Sequence, residues 1–264
     1  NTQYGRIEVG SVAANSLVDI TPVPEGLSLG YESVKSFRDI ELYQAIISTD
    51  GPAPTSPTEI VVPSSGDIQL RGRDIIIADR SQILLPKFII SDFVGDLIIV
   101  SSDSVEISNR SILSTNVIIG TAGNIFIEAE RLVVRDLGSI DGSTLSVSEF
   151  KAGGDIIIRA RDSVELQNGF IATNTAASQD AGNIDIQTTR LILSEGGQVN
   201  TLTEGSGNAG VLNIDATESV LVNGRVGINS SGLFTRTSGS GDAGTILVET
   251  EQLTGQDGGR ISVA

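Results

Sequence analysis

Two aspartates and two arginines are the residues with which this chain could most readily do chemistry. Asp67 and Asp96 hold the same place after Gly66 and Gly95, so they fall on neighbouring turns of a repeating fold, and Arg71 and Arg73 follow close behind. Acids that hold calcium beside a basic arginine would suit eliminative cleavage of an acidic polysaccharide, and two carboxylates at a set separation would suit glycoside hydrolysis. The same place is held by Asn124, Asp155 and Asn183 further along, which marks it as a repeated turn position and argues against catalysis. There is no Asp-Asp pair, no histidine and no cysteine, which removes Ser-His and Cys-His nucleophiles, cysteine-ligated zinc and disulfides.

Other motifs fall short of chemistry. Lys35, Lys87 and Lys151 sit in irregular segments without a Ser-Lys signature. Gly205-Ser206-Gly207 and Gly239-Ser240-Gly241 lack the lysine and the strand-to-helix setting of a phosphate loop. Gly153-Gly154-Asp155 lacks the spaced positions of a calcium-binding nonapeptide. A second repeated position holds Asp79, Asn109, Asp136, Asn168, Glu195, Asn223 and Asp257, acid alternating with amide. Carboxylates on every second turn would stand roughly 9.6 Å apart, too far to share a calcium ion whose ligands lie about 2.3–2.6 Å away. We read this as a hydrogen-bonded turn ladder and expect no cofactor, calcium being the one the acids leave open.

The elements that must carry these positions are strands. Glycine, a small polar residue and two β-formers two apart recur at Gly66, Gly95, Gly123, Gly154, Gly182, Gly210 and Gly244, with 28 to 34 residues between successive glycines. Within a unit, alternating apolar residues mark three short strands: Ile125 and Ile127, then Leu132 and Val134, then Ile140. Stacking such units predicts an all-β, right-handed parallel β-helix with three short strands per coil. The second strand begins one residue later in even units than in odd ones, so two coil types alternate: Arg131-Leu132-Val133-Val134 against Asp162-Ser163-Val164-Glu165. Residues 66–264 are expected to form about seven regular coils. Residues 1–65 are expected to form two irregular ones with a Pro-rich protruding loop at residues 50–63, all within one continuous domain.

The formal charge of −16, from 33 acidic against 17 basic residues, argues against nucleic acid and anionic membranes as partners. No apolar run approaches the roughly 18–20 residues of a spanning helix. Aromatics make up 4% of the chain and Met and Trp are absent, which suits narrow aliphatic layers. The chain opens at Asn1 and stops mid-unit at Ala264, so we read it as a piece of something longer.

One segment is more apolar than its equivalents, running from Leu84 through Phe88, Ile89, Ile90 and Phe93, and the next unit answers with Ile118. These residues form either a cluster under the irregular N-terminal segment or an exposed contact patch for a glycan or protein receptor. Segments 172–181, 200–209 and 228–243 are expected to be polar loops along one edge, with Phe234 the aromatic nearest for sugar stacking.

The motifs Gly10-Ser11-Val12-Ala13, Gly30-Tyr31-Glu32, Phe37-Arg38-Asp39-Ile40-Glu41-Leu42 and Ser231-Gly232-Leu233-Phe234-Thr235, with the alternating coils, cover most of the chain. In their order they resemble the repeat region of the large filamentous-haemagglutinin-like exoproteins of cyanobacteria, which leave the cell by two-partner secretion. The resemblance implies a β-helical shaft exported through an outer-membrane partner barrel, displayed extracellularly or on the cell surface, often as an adhesin. The Asn-Pro turn motifs of that family's secretion domain are absent, so the resemblance places this chain in the shaft. The expected role is structural or adhesive without catalysis; the alternative is a polysaccharide-binding or polysaccharide-cleaving module. An isolated stack of coils is also expected to associate end to end.

Overall fold

The computed structural model describes residues 5–23, 26–49, 66–85, 95–116, 122–144, 153–176 and 178–264. Among these the chain is all-β, a parallel β-solenoid without helix. Its strands stack into two columns, each eight strands deep. The first column runs through Ile7–Gly10, Ile68–Gly72, Leu97–Ser101, Ile125–Arg135, Ile156–Gln167, Ile184–Ser194, Val211–Asn223 and Thr245–Gln256. The second runs through Ile46–Ser48, Gln82–Leu84, Ile112–Ser114, Ser139–Asp141, Phe170–Thr175, Gln198–Thr203, Gly232–Thr237 and Arg260–Val263. Eight layers at strand spacing make a stack roughly 34 Å long.

Three expectations need correction. The first and second strands of a coil are separate only in the early layers; from the fourth layer on they fuse into single strands of 11 to 13 residues. The extra residue of the even units is a bulge inside those strands, between Ala160 and Ser163 and again between Ala216 and Ser219. The described residues before Gly66 make one layer and not two. Ile7–Gly10 pairs with Ile68–Gly72 and Ile40–Tyr43 pairs with Ile75–Ala78, so both belong to the same coil. An antiparallel hairpin, Asp19–Val23 with Gly26–Gly30, is inserted between them. Its base is pinned where Tyr31 lies against Gly10, 5.8 Å from the Phe37 ring and 5.2 Å beneath the Arg71 guanidinium. The Pro-rich loop lies outside the described residues.

The interior is a set of axial columns of aliphatic side chains. Leu97, Ile125, Ile156, Ile184 and Leu212 form one, and Ile83, Leu113, Ile140, Ile171, Val199 and Leu233 another, all fully buried. Each such side chain contributes about 1.5–3 kcal/mol on burial. Beside them Thr115, Thr173 and Thr201 point inward, and their hydroxyls donate to the carbonyls of Gly123, Gly182 and Gly210 at 2.6, 2.6 and 3.1 Å. Much of what reads as polar loop at residues 172–175, 200–203 and 232–237 is therefore third strand, with a threonine turned into the core.

The repeated glycine answers a steric demand. A Cβ on Gly154 would lie 2.0 Å from the carbonyl oxygen of Gly123, one on Gly182 2.1 Å from that of Gly154, and one on Gly210 2.1 Å from that of Gly182. Backbone, which cannot swing aside, fills the room of the missing side chain. Gly154→Ala is expected to lower stability by about 1–3 kcal/mol, read from the midpoint of urea unfolding; a loss below about 0.5 kcal/mol, the range of a neutral surface change, would contradict this packing.

Candidate functional site

Three axial edges border the cross-section, and each carries its own side-chain ladder. On the glycine edge, the side-chain oxygen at each turn accepts the backbone N–H of its counterpart one layer on. Asp67 accepts from Asp96, Asp96 from Asn124, Asn124 from Asp155, Asp155 from Asn183 and Asn183 from Val211, all at 2.7 to 3.0 Å. A parallel ladder two residues before the glycine links Asp180, Asn208 and Asp242. Between the two ladders lies an open groove of about 1120 Å³ floored by alanine and glycine.

The structure does bring Asp67 and Asp96 side by side, but it sends the arginines elsewhere. Arg71 lies over Tyr31, and Arg73 pairs with Asp39 at 2.8 Å on a different edge. Arg6 is the cation that reaches Asp67, at 3.2 Å. Burial raises the Asp96 carboxyl above the ordinary carboxylate range; hydrogen bonds from Asn124 pull it back in part and the neighbouring Asp67 charge adds to the rise. It is the one step of this ladder where acid follows acid without an intervening amide.

On the bulge edge the two coil types meet as opposite charges. Arg131 pairs with Asp103 at 3.0 Å and Arg161 with Glu130 at 2.8 Å, while Arg190 pairs with Asp162 and lies 3.9 Å from Glu218. The register seats Arg131 between Ser104 and Ser163, and Arg190 between Ser163 and Ser219. Were every coil of the Arg type, guanidiniums would stack one layer apart. Each exposed pair contributes at most about 1 kcal/mol, so their weight lies in fixing the alternation.

The third edge is built from left-handed turns. Asp79, Asn109, Asp136, Asn168, Glu195 and Asp257 all have φ between 50° and 56°, and the Asn109 amide donates to Asp79 at 2.9 Å. In the seventh layer this place belongs to Gly224, φ 80°, because Asn223 pairs with Gln256 and closes the strand. A small hairpin, Arg225–Val226 with Asn229–Ser230, follows it. The residue after the ladder position is Gly196 in the sixth layer and Gly258 in the eighth, which take the left-handed conformation without a Cβ penalty. In the second, third and fourth layers it is Arg80, Arg110 and Leu137, at φ 66°, 63° and 64°. A side chain there costs about 1–2 kcal/mol each. A groove of about 610 Å³ runs along this edge from Gln44 in the first layer to Asn168 in the fifth.

Of the residues expected to form a contact patch, Phe88, Ile89, Ile90, Phe93 and Ile118 lie outside the described residues. Phe234 is no exposed platform: it is 1% exposed, folded back over Gly232, with the Arg236 guanidinium 4.3 Å above its ring. Among the described residues no three acidic side chains converge so as to hold a metal ion. The turn-edge groove was missed by sequence reasoning. Its signal is the pair Asp79-Arg80 and Asn109-Arg110 standing where Glu195-Gly196 and Asp257-Gly258 recur.

Comparison of the chain with protein-family models, with curated proteins and with solved structures gives no match.

Because the charged Asp96 is disfavoured in the fold, its destabilising effect is full above its folded pKa and fades as pH falls through it toward the ordinary carboxylate range. Asp96→Asn keeps the acceptor for Asn124 and removes the charge beside Asp67. It is expected to raise stability by about 0.5–1 kcal/mol at pH 7 and to lose that advantage in acid, as read by urea unfolding at both pH values. An advantage that grew on acidification would contradict the assignment.

Proposed function

We propose that this chain is a shaft segment of a secreted or surface-displayed exoprotein, exported through an outer-membrane partner barrel, with a structural or adhesive role and no catalytic one. The observation that carries this reading is where the functional groups are spent. Carboxylates and amides of the glycine edge receive the next layer's N–H groups, arginines and acids of the bulge edge pair across layers, and threonine hydroxyls close onto glycine carbonyls. Side chains used in this way lengthen and stiffen a rod. The motif resemblance supplies the export route, and a cysteine-free chain suits passage in an unfolded state.

The eighth layer supports the expectation of end-to-end association. Leu253 and Ile261 stand in register with Val220 and Leu233, which are fully buried, yet they remain 52% and 43% exposed. Such a face, with its row of unpaired backbone groups, accepts another layer of the same kind. Sedimentation of the purified segment is expected to show concentration-dependent association; a strict monomer at high concentration would contradict it.

The export reading is tested on intact source cells with an antibody to the segment. Labelling of the surface, or of protein shed into the medium, is expected; labelling only after the envelope is opened would overturn it. In the same material acidic polysaccharides should release no product with or without calcium, and product release would restore the cleaving alternative.

A further inference from the structure

The inserted hairpin turns an apolar face to solvent. Strands Asp19–Val23 and Gly26–Gly30 set Ile20 opposite Leu29 and Pro22 opposite Leu27, so these four side chains share one face. Ile20 is 64% and Leu27 58% exposed, and Leu17, just before the first strand, is 68% exposed. The base is held in place: the Leu29 N–H donates to Glu8 at 3.1 Å, and the Tyr31 ring fills the space beside Gly10. Three exposed aliphatics gathered on one protruding element mark a contact surface, which single scattered ones would not.

A hollow of matching chemistry lies on the same outer sheet face. Outward positions stack as Glu8, Gln69, Ile98, Phe126 and Ile157 in one column and as Gly10, Arg71, Val100, Glu128 and Arg159 in the next. The hairpin is rooted on the first two layers of this face. An apolar trough of about 360 Å³ occupies the third to fifth, lined by Ile98, Val100, Phe126 and Ile157 and bordered by Glu128 and Arg159.

We infer that two copies of this chain pair side by side through this face, the hairpin of each seated in the trough of the other. Root and trough lie on one face and are offset along the axis, so turning one copy end for end about a two-fold axis brings each hairpin over the other copy's trough. The trough spans two strand spacings, roughly 10 Å, and the two hairpin strands stand about 4.8 Å apart, so the face of Ile20, Pro22 and Leu27 is of a size to enter it. One hairpin face falls short of the roughly 1,200 Å² of a specific interface, whereas two exchanged about the axis come to that order. Charge agrees with this pairing. Asp19, the one charged residue on the described hairpin strands, and Arg159 beside the trough are both exposed and have no ionic partner among the described residues, while Glu128 lies 3.8 Å from Arg161. The contact differs from end-to-end stacking and goes beyond the shaft reading without resting on it, since it needs only the folded chain.

The test is sedimentation of the whole chain beside two variants, I20S/L27S on the hairpin and F126Q/I157Q in the trough. Each variant alone is expected to associate about tenfold more weakly than wild type or worse. Mixing the two should recover part of the loss, because the intact hairpin of one meets the intact trough of the other. The eighth layer is the same in every sample, so end-to-end stacking does not produce these differences. The urea midpoint of each variant checks that it folds, and Ile98→Gln replaces F126Q/I157Q if that variant does not. In the cysteine-free chain, an Ile20→Cys copy should form a disulfide with a Phe126→Cys copy and not with an Ile192→Cys copy, whose cysteine faces outward on the second strand segment of the sixth layer. The inference is overturned if wild type stays monomeric, if either variant alone associates as wild type does, or if the mixture remains as weak as its components. It is also overturned if Ile20→Cys links to Ile192→Cys as readily as to Phe126→Cys.

Discussion

The contact on which this solenoid depends is a backbone carbonyl pressed into the space of a missing Cβ. At the glycine edge each layer lies against the glycine before it, with Gly123, Gly154, Gly182 and Gly210 in an unbroken file. Alanine would push the layers apart at that corner while the strand hydrogen bonds held them together elsewhere. The same close approach brings the inward threonines of the third strand within reach of the glycine carbonyls, so polar groups at the corner are satisfied without water. Burial of the aliphatic columns drives the stacking; the glycine file determines that the layers can close.

Stacking carries a second constraint, because every column sets equivalent positions one strand spacing apart, so that a residue type kept from layer to layer meets itself. An apolar column benefits from repetition, whereas a charged one is penalised by it. The chain meets this differently on each edge. Acid and amide alternate on the glycine and turn edges, and a bulge on every second coil sets Arg against Asp on the remaining one. One departure is informative: where Asp67 stands beside Asp96, burial first and the neighbouring charge second raise a carboxyl's proton affinity.

The repeat, the parallel stacking and the inward residues were legible in the sequence because period-two alternation and a glycine every 28 to 34 residues survive in every unit. The alternation of coil types was legible as a one-residue offset, though not as a bulge, since a sequence does not say whether an extra residue ends a strand or bends it. The N-terminal insertion misled for a related reason: Gly5, Ile7 and Val9 look like the start of one coil and Ile40 and Leu42 like the middle of another, and only pairing in space joins them. Phe234 and Asn223 were misplaced by local packing. The room left by Gly232, two residues earlier, lets the ring fold inward, and a hairpin insertion moves the turn by one residue. The groove at Arg80 and Arg110 depends on backbone handedness, which a lone Asp-Arg or Asn-Arg dipeptide does not announce.

Equivalent positions in successive units lie one strand spacing apart along a single axis. Val100, Glu128, Arg159, Gln187, Asp215 and Glu249 share one column. The absence of native cysteine lets spin labels be placed on pairs of these positions without competing thiols. Electron-resonance distances from a label at Glu249→Cys to partners at Glu128→Cys and Val100→Cys should centre near 19 Å and 24 Å, each further layer adding about 4.8 Å. Distances that failed to grow with the number of intervening layers would contradict the stacked solenoid.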